Sequence, residues 1–100
     1  MKKQLFSICD WKTYVYTTVD GYAYHDTQLD LHCFLYRKSP LHSWGLYDCT
    51  TGLSLHATGE TREQTIKAWE YVKESKNVTR ELIKELQDAF IEKRNKTMTV

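Results

Sequence analysis

Little in this 100-residue chain punctuates it: there is one proline, Pro40, and there are four glycines. With no Pro/Gly/Ser-rich tract there is no linker to divide the chain, and the length suits a single domain, residues 1–100, around one core. Long apolar runs are missing as well. The opening MKKQLFSICDW carries two lysines, but Ser7, Cys9 and Asp10 interrupt it before a signal-peptide core can form, and no later run reaches membrane-spanning length. A cytoplasmic protein with no membrane association is expected. Net charge is also scarce: fourteen Lys and Arg against thirteen Asp and Glu leave +1, so no global field steers the chain toward nucleic acid or an anionic surface.

Cysteine is too sparse for a framework. Cys9, Cys33 and Cys49 are odd in number and widely spaced, which argues against disulfides and fits a reducing compartment. The four histidines do not supply short metal-ligand spacings either, with no C-x-x-C or H-x-x-x-H pair, and His32 and Cys33 adjoin in a strand and so point to opposite faces. Phosphate-binding glycine loops and the Gly-x-Ser-x-Gly elbow are absent. The helical carboxylates Glu81, Glu85 and Asp88 interleave with Arg80 and Lys84, as on a solvated face. The expectation is a protein without metal, cofactor or enzymatic activity. Asn77-Val78-Thr79 matches the glycosylation pattern but reads as a helix boundary.

What is present is a change of texture. Residues 1 to 58 hold six of the seven tyrosines and most of the period-two alternation, whereas 60 to 96 are rich in Glu, Lys and Arg at helical spacing. The fold class expected is α+β: an antiparallel sheet of four to five strands within residues 1–58, then two amphipathic helices over about 62–76 and 80–94, with 95–100 a frayed tail.

Asp20-Gly21 between Thr13–Val19 and Tyr22–His25 reads as a two-residue hairpin turn, pairing Val19 with Tyr22 and Thr17 with Tyr24. Leu29, Leu31, Cys33 and Leu35 form the core face of the next strand. Trp44–Tyr47 and Leu53–Thr58 form a further hairpin around Cys49–Gly52, with Leu46 opposite Leu55 and Trp44 opposite Ala57. Thr61-Arg62-Glu63-Gln64 is a capping box, Asn77 suits a left-handed helix end, and Thr79 caps the second helix.

Alternation then leaves His32, Phe34, Tyr36, Tyr47 and His56 on the second face of the sheet, with Tyr14 and Tyr16 or Tyr22 and Tyr24 beside them. If the helices cover only the leucine face, this aromatic-histidine face is a surface for a partner protein, or for a second copy of the chain; the alternative is that the N-terminal segment or hairpin folds over it, or that one helix covers each face. Arg37 and Lys38, at the end of the Phe34–Tyr36 strand, make nucleic acid the second candidate partner.

Two resemblances bear on function. Residues 43–76, strand, strand, Gly59 and the capped Thr61-Arg62-Glu63, resemble the small three-stranded N-terminal domains of phage integrases, which imply a sheet in the major groove; the dense strand Arg and Lys of those domains is lacking. The hairpin Trp44-Gly-Leu-Tyr-Asp-x-x-Thr-Gly-Leu leading through Gly-Glu-Thr-Arg-Glu into a short helix also looks like small accessory proteins of phages and mobile elements, anti-CRISPR proteins among them. That resemblance implies an inhibitor that binds and occludes a host or CRISPR effector protein, with His32, Phe34, Tyr36, Tyr47, His56, Arg37 and Lys38 as its contact residues.

Overall fold

The computed structural model describes residues 2–98 and is α+β: a five-stranded antiparallel sheet followed by two helices. The strands β1 (Gln4–Cys9), β2 (Tyr16–Asp26), β3 (Leu31–Tyr36), β4 (Trp44–Asp48) and β5 (Ser54–Gly59) form a meander in chain order. Helix α1 (Arg62–Ser75) and helix α2 (Arg80–Met98) complete the chain. None of the helices among the described residues is long and apolar enough to cross a membrane.

The first hairpin differs from the expectation. Asp20 and Gly21 do not turn but lie inside β2, opposite Leu5 and Gln4 of β1. Here β2 changes partners: Tyr16 to Gly21 pair with β1, Tyr22 to Asp26 with β3. Gly21 serves a close approach rather than a turn, since a Cβ there would lie 2.7 Å from the Leu35 carbonyl oxygen and 3.3 Å from the Phe6 ring. The turn falls later, at Asp26–Asp30, where the Asp26 carboxylate accepts from the Leu29 N–H at 3.1 Å and Asp30 takes a left-handed φ of 49°.

The β4–β5 hairpin keeps its expected loop. Asp48 organises it, accepting from the Thr50 N–H at 3.1 Å and the Thr51 hydroxyl at 2.9 Å, and Tyr47 stands opposite Ser54. Two residues on, a bulge in β5 with His56 at φ 60° shifts the register, so Trp44 faces Gly59 and not Ala57.

Helix starts and stops follow the sequence. The Thr61 hydroxyl accepts from the Gln64 N–H at 3.1 Å, while the Gln64 side chain reaches back to accept from the Glu60 N–H; Thr79 accepts from the Leu82 N–H, and Asn77 has φ 51°. The expected fraying after residue 94 is not seen through Met98: a Lys96–Glu92 pair at 3.2 Å and a Thr97 hydroxyl bond to the Lys93 carbonyl extend α2. Residues 99 and 100 lie outside the described residues.

The core is the leucine face. Leu29, Leu31, Cys33, Leu35, Leu46 and Ala57 pack with Trp69 of α1. The opposite face is covered from the N-terminus. Phe6 of β1 stacks on Phe34 with ring centroids 4.5 Å apart, and Cys9 N–H donates to the Gly52 carbonyl at 2.9 Å, fastening β1 to the β4–β5 loop. The molecule is thus layered, with the β1 ribbon on one side of the sheet and α1 on the other.

Candidate functional site

The seven residues expected to form one contact face lie in separate surroundings. Phe34 is fully buried, sandwiched between Phe6 and Tyr47, whose ring lies 5.2 Å away. An exposed Phe34 is therefore corrected: β1 covers that face because folding a ribbon over three aromatic rings removes more apolar surface from water than leaving them bare. Tyr36 and Tyr47 are half-buried and meet edge to face at 6.1 Å; burial, then the neighbouring Tyr36, pushes the Tyr47 phenol upward. These residues are packing.

Arg37 stays at the surface but lies on Trp44, its guanidinium carbon 4.7 Å from the ring centroid, and Arg62 lies over Tyr22 at 4.0 Å. Lys38 is exposed beside it. Both arginines cover aromatic surface, so the guanidinium groups contribute to packing as well as to charge.

His32 is exposed and has a neighbour that the chain order conceals. It pairs across the strands with His25, the imidazole rings stacked 4.3 Å apart and 9° from parallel, and His25 Nε2 lies 2.9 Å from an Asp30 carboxylate oxygen. The His25 hydrogen bond holds the Asp30 carboxyl below the usual carboxylate range. A hairpin turn at Asp20-Gly21 does not bring His25 and Asp30 into the expected set; the observed four-residue turn, Thr27 to Asp30, puts residue 25 opposite residue 32.

An apolar concavity lies elsewhere. A cleft of about 350 Å³ opens between α2, the C-terminal half of α1 and the loop end of β5. Leu53, Leu55, Val72, Val78, Leu82 and Leu86 line it, and His56 is at its rim. Polar contacts hold helix α2 to the body along its length: Arg80 Nε donates to the Gln28 carbonyl at 3.1 Å, Gln87 donates to both Asp48 carboxylate oxygens at 3.2 and 3.1 Å, and Arg94 donates to the Tyr16 hydroxyl at 2.7 Å. Phe90 packs on Tyr14 at 5.5 Å. Beside Gln87, Leu86 remains 58% exposed, although it sits in the apolar stripe of its helix. A smaller apolar group, Trp11 and Val15, protrudes from the β1–β2 loop.

Cys33 and Cys49 are not activated thiols. Burial and then Asp48 push Cys33 up steeply, and the same causes push Cys49 up to about 11, which keeps both protonated at neutral pH. The chain matches no family model, no curated protein and no solved structure.

Proposed function

We propose that this is a non-enzymatic interaction protein that takes an apolar segment of a partner protein into the cleft beneath α2. The observation that carries the reading is Leu86: a large aliphatic residue on the inward stripe of α2, more than half exposed, over a cleft lined by Leu53, Leu55 and Val72. An occupant with two or three aliphatic side chains, presented from one face of a helix, suits such a lining. Strand addition to β5 suits it less, because the bulge at His56 interrupts the edge. Binding of this kind acts by occupancy, and inhibition of a host or effector protein is the form of it we favour.

Nucleic-acid binding is the second reading, supported by Arg37 and Arg62 around Trp44 and Tyr22, with Lys38 exposed next to Arg37 in the chain. The two are separated by capture from bacterial lysate with and without nuclease, using the wild type and Leu86→Glu, a substitution at an exposed helical position that leaves folding intact. We expect one protein recovered regardless of nuclease and depleted about tenfold or more by the substitution, the loss from one truncated or charged anchor. Recovery that vanishes on nuclease treatment would transfer the function to nucleic acid.

A further inference from the structure

We propose that His25, Asp30 and His32 form a binding site for a divalent transition metal, Zn²⁺ in the first instance, at the β2–β3 turn. The three donor atoms already lie within 4.8 Å of one another. A tetrahedral Zn²⁺ with metal–ligand bonds near 2.0–2.1 Å needs donors about 3.4 Å apart. All three side chains are exposed, so rotations about their own bonds supply the contraction without moving the backbone.

The backbone has done the harder part. The antiparallel register puts His25 directly opposite His32, which fixes two imidazoles side by side on the paired β2 and β3 strands. Stacking two imidazoles face to face at 4.3 Å brings no charge complementarity of its own. Asp30 sits at the strand start in a left-handed conformation, φ 49°, with its carboxylate 2.9 Å from His25 Nε2. A neutral imidazole keeps one nitrogen for a metal and one N–H in either tautomer, so both rings can ligate without losing a proton; the hydrogen bond between His25 and Asp30 gives way to two metal bonds.

Two nitrogens and one oxygen select the borderline metals over Mg²⁺ and Ca²⁺, which take oxygen ligands. Three protein ligands leave a position for water or a fourth donor. Asp30 and His32 also form one wall of a crevice reaching Arg80, Lys84 and Asp88 of α2, from which a partner's side chain or a small anion could complete the shell. This site is distinct from the cleft under Leu86 and stands or falls independently of it.

The test is calorimetric titration of the full chain with ZnCl₂, in a Cys49→Ser background that removes the one exposed thiol. We expect one equivalent to bind with Kd below about 100 μM, and His32→Ala and Asp30→Asn each to weaken binding at least about tenfold with the fold intact by circular dichroism. MgCl₂ should give no saturable heat. Binding weaker than that limit, equal affinity in all the variants, or saturable Mg²⁺ binding at the same site would overturn the proposal.

Discussion

Among single residues, Lys73 shows best what packing adds to pattern. It lies in α1 where a helical wheel permits a solvated cation, yet it is 6% exposed. Its ammonium contacts Asp26 at 2.7 Å, Glu70 at 2.8 Å and Gln28 at 3.1 Å, and Asp26 also accepts from the Trp69 indole at 2.8 Å. The partners Asp26 and Gln28 belong to a turn more than forty positions earlier, so no local periodicity could announce the burial. Lys73→Met should destabilise the fold by about 3–5 kcal/mol in urea unfolding, because it strands a buried carboxylate.

The pH dependence of that loss has a definite sign. Burial pushes the Asp26 carboxyl up, but the hydrogen bonds from Lys73, the Leu29 N–H and Trp69 outweigh it and the net shift is downward. Asp26 therefore contributes stability above the unfolded carboxylate value near 3.9 and loses it as pH falls through its lower folded value. Burial lowers Lys73, while Asp26 and Glu70 outweigh it and raise the ammonium, so that contribution holds below about 10.4 and fades as pH rises through the higher folded value. In Lys73→Met the carboxyl loses its cation and burial dominates, so the gap between variant and wild type should narrow as pH drops below about 4. A gap that widens on acidification would contradict this assignment.

At the scale of elements, the legible features were those encoded within a few residues. The Thr61 and Thr79 caps, the left-handed Asn77 and the Cys49–Gly52 loop each depend on neighbours in sequence, and each is where local chemistry places it. Asp20-Gly21 carries an equally strong local signal that tertiary contact overrides, because β2 needs a residue without a Cβ where it crosses Leu35 and Phe6. That displaced turn hid the His25–His32 pair. The β5 bulge was illegible for a related reason: Leu53, Leu55 and Ala57 alternate cleanly, and the extra residues appear only when the strand is laid against β4.

Helix α2 is the element whose stability should stand apart. Its joints to the body include the Arg80–Gln28, Gln87–Asp48 and Arg94–Tyr16 hydrogen bonds, the Phe90–Tyr14 contact and a row of half-buried side chains, whereas α1 buries Trp69 and Thr65 in the core. Hydrogen exchange in the free protein should show the α2 amides opening at least about tenfold more readily than those of α1, a difference of 1.4 kcal/mol or more. Equal protection of the two helices would mean that α2 is packed as tightly as α1.

For the whole molecule, the layering decides where a partner can bind. The sheet has β1 folded over one face and α1 over the other, so the aromatic surface anticipated from alternation is spent on the fold, and Phe34 with it. The class, α+β with an antiparallel sheet followed by two helices, follows from the change of texture near residue 59. The location of the cleft does not, since it depends on how far α2 stands off β5. On the proposed function, binding occurs under α2 and not at the exposed apolar loop carrying Trp11. Photo-crosslinking in cells with a benzophenone side chain at position 86, and separately at position 11, tests this directly. We predict a single protein adduct from position 86 and none from position 11; an adduct from position 11 alone, or none from position 86, would contradict it.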